Sequence, residues 1–146
     1  MNAARRMRSI ASLAALEERS AARVMAEWRR VLARERRKLE ELSAYRDEYA
    51  MRARGGGVLS GRSLHEQRAF VARLNQAIAE QARRVAEVER EYRVAVSAWE
   101  RRRSRTLGLE KVAEGHEARA QAAEARREQA ESDALALRLA RHDSAA

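Results

Sequence analysis

The sequence predicts an all-α fold, an elongated antiparallel two-helix coiled-coil hairpin with a longer C-terminal helix. Three observations carry this. The chain contains no Pro and is dominated by Ala, Arg, Glu and Leu, the strongest helix formers, so little in it forces a break. Helix propensity collapses at one place, RGGGVLSGRS over 54–63. On both sides of that stretch apolar residues recur at alternating spacings of three and four, the 3.5-residue period that winds helices into a left-handed supercoil.

A compact globule is excluded by what is missing. Among 146 residues there is one Phe, aromatic residues make up 4%, and much of the 45% hydrophobic content is Ala, which buries too little area to hold a globule together. A single coiled-coil domain over 1–146 is expected instead. With no Cys there are no disulfides, thiolate metal sites or Cys nucleophile. No apolar run approaches the ~20 residues that cross a bilayer, and MNAARRMRSIASLAAL lacks the apolar core of a secretory signal. The expected location is the cytoplasm, with the basic N-terminus suited to peripheral contact with an anionic membrane surface.

The first helix is expected over about 4–54, with an apolar seam at Ala21, Met25, Trp28, Leu32, Glu35, Leu39, Leu42, Arg46 and Tyr49. A glycine-rich turn follows over 55–62. Gly55 suits a left-handed C-terminal cap of the first helix, and Ser60 or Ser63 suits the N-cap of the second, with Glu66 at capping-box spacing from Ser63. The triple glycine is not a phosphate loop, because no Gly-Lys-Ser/Thr follows it and no strand precedes it.

The second helix is expected over about 63–138, with a tail over 139–146. Its seam holds one register from Leu64 to Leu137, through Val71, Leu74, Ile78, Gln81, Val85, Val88, Tyr92, Ala95, Trp99, Arg102 and Thr106. Folding back at the turn places Leu42 against Leu74, Leu39 against Ile78, Leu32 against Val85, Trp28 against Val88, and Met25 against Tyr92. With Val71 and Trp99 these form the predicted core. The polar intruders Glu35 and Gln81 fall opposite each other, and Glu18 comes beside Arg102, as buried polar groups require. The first helix reaches roughly to residue 113 of the second, so the last ~30 residues have no partner in the chain. Their Ala-rich seam, interrupted by Arg127 and preceded by His116, returns little on burial. That end is expected to be mobile or to wait for a partner.

Catalysis needs convergent groups in a sheltered concavity, which a two-helix hairpin does not offer, so the chain reads as a binding protein and not an enzyme. No catalytic, cofactor-binding or metal-binding residues are expected: His65, His116 and His142 lie far apart and have no second ligand at i+4. The net charge is +9, with fourteen basic and eight acidic side chains in 1–54 against seventeen and fourteen in 55–146. Arg29, Arg30, Arg34, Arg36, Arg37 and Lys38 form the densest cluster and RRRSR at 101–105 a second. Such clusters suit acidic proteins, lipid headgroups or nucleic acid, or simply keep a helix face solvated.

Taken together, SAYRDEY before the turn, EQRAFVARLNQAIAEQ after it and AVSAWERRRSRTLGLEKV further on resemble the FliJ family over roughly residues 10–138. The resemblance implies a stalk component of the flagellar type III protein export apparatus, needed for flagellum assembly and hence for motility and chemotaxis. It implies three partners: the hexameric export ATPase, whose pore would take the paired terminal ends; the linker of the export gate's transmembrane subunit; and cargo-free export chaperones. It also implies a cytoplasmic location at the membrane beneath the flagellum. The gate-binding face would map onto Phe70, Leu74, Ala77 and Gln81, the last standing where some members carry a histidine. Leu74 and Gln81 lie on the predicted seam, whereas Phe70 and Ala77 flank it. Phe70 is expected to be a docking anchor rather than a core residue, with Phe70→Ala costing folding under ~1 kcal/mol. Two other readings share the composition: the equivalent stalk of a virulence injectisome, and a basic coiled coil on nucleic acid. The latter lacks aromatic residues among its basic clusters and any recognition module.

Overall fold

The structure, a computed structural model, describes residues 2–55 and 61–145. Among them the chain forms two helices, α1 (Ala3–Gly55) and α2 (Gly61–Ala145). At the start of α1, Asn2 is the cap: its Oδ1 accepts the Arg5 N–H at 2.8 Å, and its carbonyl accepts the Arg6 N–H at 3.2 Å. Arg52 and Arg54 occupy the last turn, where cations complement the helix dipole.

The ends differ from the expected ones for local reasons. No described glycine has positive φ, so Gly55 closes α1 in helical conformation and is not a left-handed cap. Since α2 begins at Gly61, Ser63 sits in its first turn, and Glu66 pairs with Arg62 at 3.4 Å, one turn back. Ser60, Gly56 and Gly57 lie outside the described residues. At the other end α2 runs on through 139–145, where a tail was expected. Leu139, Ala140 and Arg141 are good helix formers, and no Gly or Pro stops them.

Contacts gather the chain into two units. The middle unit is Ser20–Glu100 and the terminal unit is Met1–Arg19 with Arg101–Ala146. Within each, the helices run antiparallel. In the middle unit Glu35 meets Gln81 and Arg29 meets Tyr92; in the terminal unit Glu17 meets Arg102 and Arg8 meets Glu117. Numbers fall on α1 as they rise on α2.

The middle unit is centred on Leu32, Val85 and Val88, with Trp28, Val31, Leu39 and Tyr92 packed around them. These are seam residues of both helices apart from Val31, and the residues expected in the Leu32–Val85 and Trp28–Val88 layers fall in this one cluster. Met25, Leu42, Val71, Ile78 and Trp99 are partly buried, while Leu64 at the seam's start is exposed. In the terminal unit the buried residues are Ala11, Ala14, Ala113 and Thr106. The Thr106 hydroxyl donates to the Arg102 carbonyl at 3.0 Å, so its burial leaves no unpaired donor. From Glu124 to Ala145 every side chain is exposed.

Candidate protein-binding face

α2 carries the four expected docking residues over three turns, and the middle unit uses all of them in different ways. Phe70, partly buried, stacks with two tyrosines of α1: its ring lies 4.7 Å from Tyr49 and meets Tyr45 edge-on at 6.2 Å. Such geometry satisfies the opposed charge of ring face and ring edge. Phe70, expected beside the seam as a docking anchor, therefore also belongs to a three-ring cluster with α1. The antiparallel register that aligned Leu42 with Leu74 also brings Tyr45 and Tyr49 to the level of Phe70. That was the available signal.

One turn on, Leu74 retains 9% of its exposure and is a core residue. Ala77, two turns on from Phe70, is partly buried and offers a shallow methyl surface. Gln81 turns inward: its amide donates to a Glu35 carboxylate oxygen at 2.6 Å and to the Glu35 carbonyl at 3.0 Å. The accessible apolar part of the face is thus Phe70 with Ala77, while Leu74 and Gln81 fix it from beneath.

Glu35 is the one acidic side chain buried among the described residues, with 7% of its exposure left. The Gln81 amide holds its carboxyl below the usual range, helped by the charges of Lys38 and Arg84 and opposed by burial. Lys38 reaches it at 3.4 Å. The layer is polar yet fully paired, which makes it a register pin: a slip of one turn would leave both groups buried and unmatched.

Charge-paired edges complete the picture. In the middle unit Arg36 meets Glu89 at 2.8 Å, and the Arg29 guanidinium lies 6.0 Å from the Tyr92 ring centre. In the terminal unit Arg102 meets Glu17 at 2.7 Å and Arg103 meets Glu18 at 3.5 Å, so the expected partner of Arg102 is displaced by one residue. Arg8 holds Glu117 through two hydrogen bonds of 3.0 Å, which carries α1 slightly past the predicted limit near residue 113. Sequence reading began the α1 seam at Ala21 and missed Ala14 and Ala11. They continue its three-four spacing, but Ala carries little hydrophobic signal.

Among the described residues no three His, Cys, Asp or Glu side chains are grouped to hold a metal ion, and no helix is long and apolar enough to cross a membrane. The groove along the first turns of α1, lined by Arg5, Arg8, Ser12, Leu13 and Leu16 with Glu117 opposite, is open to solvent and presents no nucleophile beside a base. What the surface offers is contact area, charge and a shaped apolar spot. Comparison with protein-family models gives a match over residues 3–144 to the family described as flagellar FliJ protein. Curated proteins give no match, and solved structures give none.

Proposed function

The chain belongs to the flagellar FliJ family and is thereby a component of the flagellar export apparatus; from that premise we propose that it acts as a stalk and docking protein, binding its partners without turning over a substrate. In this reading the terminal unit engages the hexameric export ATPase, the Phe70–Ala77 surface engages the linker of the export gate, and cargo-free export chaperones bind the same protein in turn. It works in the cytoplasm, peripherally at the membrane beneath the flagellum, and its loss would abolish flagellum assembly, motility and chemotaxis.

The observation that carries the reading is the extent of the family match, which spans both helices, joined with the cross-helix bracing of the terminal unit by Arg8–Glu117 and Arg102–Glu17. A stalk must keep its paired ends together under load, and those bridges join α1 to α2 where the seam offers only small side chains. Hydrolysis of ATP by the purified hexameric ATPase, measured with and without the chain, tests the first partner. The rate should rise with the chain present, and deletion of residues 2–19 should remove the rise; an unchanged rate refutes the stalk role. For the gate, Phe70→Leu keeps apolar bulk against Tyr45 and Tyr49 while removing the ring. Weakened binding to the gate linker at an unaltered melting temperature supports docking, and undiminished binding removes Phe70 from the face.

A further inference from the structure

The basic cluster at 29–38 divides by direction. Arg29 reaches the Tyr92 hydroxyl, Arg36 reaches Glu89 and Lys38 reaches Glu35. Arg30, Arg34 and Arg37, with Arg23 one heptad earlier, are exposed and make no ion pair or hydrogen bond among the described residues. At 100° per residue these four fall on one face of α1, opposite the seam of Met25, Leu32 and Leu39, and they span about 21 Å along the helix. Glu27, between Arg23 and Arg30, and Glu41, beyond Arg37, share this face, but neither comes within ion-pair distance of the arginines. Arg30 with Arg34, and Arg34 with Arg37, are like-charge neighbours that oppose the helix they sit on. Around the outer arginines of α2, Arg83 and Arg90, carboxylates are denser: Glu80, Glu87 and Glu91 alternate with them.

The face carries no anchor for a bilayer, since the only apolar residues beside the arginines are Ala26 and Ala33, and insertion needs large apolar groups. It carries no aromatic residue to stack on a base. What it does carry is a straight row of forked donors with a repeat of about 10 Å, the rise of seven helical residues, from Arg23 to Arg30 to Arg37. We propose that Arg23, Arg30, Arg34 and Arg37 form a docking stripe for an acidic α-helix of a partner protein whose carboxylates recur one heptad apart. Each guanidinium would take a carboxylate side-on, and the partner's charge would relieve the repulsion within the row. The inference stands apart from the export reading, because it rests on the stripe alone.

A fluorescent synthetic helix with Glu at heptad spacing along one face, titrated with the full-length protein at physiological salt, tests this by anisotropy. Arg→Gln at all four positions should weaken binding by about tenfold or more, with helicity by circular dichroism unchanged. Arg→Lys at the same positions, which keeps the charge and loses the fork, should recover only part. A charge-matched control, Gln at Arg68, Arg83, Arg90 and Arg93, should stay within about twofold of the parent. Equal loss in the control overturns the proposal, as does equal binding of a helix with its Glu residues scrambled off the heptad. So does tighter binding, through the same four arginines, of phosphatidylserine vesicles or duplex DNA. Absence of measurable binding to the heptad peptide leaves only a solvated face and also overturns it.

Discussion

Where Leu32 meets Val85 and Val88 in the middle unit, large side chains with Trp28, Leu39 and Tyr92 around them leave the water together; where Ala11, Ala14 and Ala113 are buried in the terminal unit, the helices contribute only methyl groups. Full burial of a Leu or Val contributes about 1.5–3 kcal/mol, and a methyl roughly 0.8. The terminal unit adds charge instead, through Arg8–Glu117, Arg102–Glu17 and Arg103–Glu18. Exposed ion pairs of this kind contribute about 0–1 kcal/mol each and weaken with salt. The helices of the two units are thus held in two ways, and the middle unit is expected to resist unfolding more strongly.

The sharpest test of that contrast is Leu32→Ala, which opens a cavity at the centre of the apolar cluster and should cost about 2–5 kcal/mol. Trp28 and Trp99 both lie in the middle unit, so their fluorescence during urea unfolding reports it directly. A loss below 1 kcal/mol would place the stability elsewhere. Phe70→Ala should follow at about 1–3 kcal/mol, because the ring is partly buried and leaves two tyrosines without a partner. An unchanged urea midpoint would return Phe70 to the role of a free surface anchor.

Acid should act on the middle unit through Glu35. Its folded pKa lies below the ordinary 4.5, so its contribution is complete above that value and is lost as pH falls through the folded value. Urea midpoints followed from neutral pH into that acid range should fall more steeply for the parent than for Glu35→Gln. Parallel curves would mean that the pairing with Gln81 does not stabilise the fold. The smallest effect belongs to the terminal unit. A double-mutant cycle on Arg8 and Glu117, both replaced by Ala, should return a coupling of about 0.2–1 kcal/mol that shrinks in high salt. Coupling above 2 kcal/mol, insensitive to salt, would erase the distinction between the units.

The parts of this architecture that were legible in the sequence are those written in large apolar side chains. Leu32, Leu39, Val85 and Val88 announce their face by size and spacing, and the pairing of Glu35 with Gln81 followed once their register was laid out. Alanine is both a helix former and a small hydrophobe, so Ala11 and Ala14 gave no sign that they would be buried. Gly55 and Glu66 permit a cap without requiring one: Gly55 stays helical, and Glu66 is drawn to Arg62. The docking role of the candidate face rests on the family resemblance, and its depth in the fold was not legible. Spacing shows which residues share a side of α2, whereas only the tyrosines across the interface reveal that Phe70 is held.

Gly108 and Gly115 lie one heptad apart in α2, on either side of the buried Ala113. A methyl group at Gly108 would meet nothing within 4 Å, and one at Gly115 would meet only the end of the Arg119 side chain at 3.9 Å. Neither glycine is there to let another element approach. Each nevertheless lowers helix stability by about 0.5–1 kcal/mol relative to Ala. By intrinsic preference α2 is therefore less firmly held between these two residues than in the Ala- and Arg-rich turns around them, at the level of the terminal unit's smallest core.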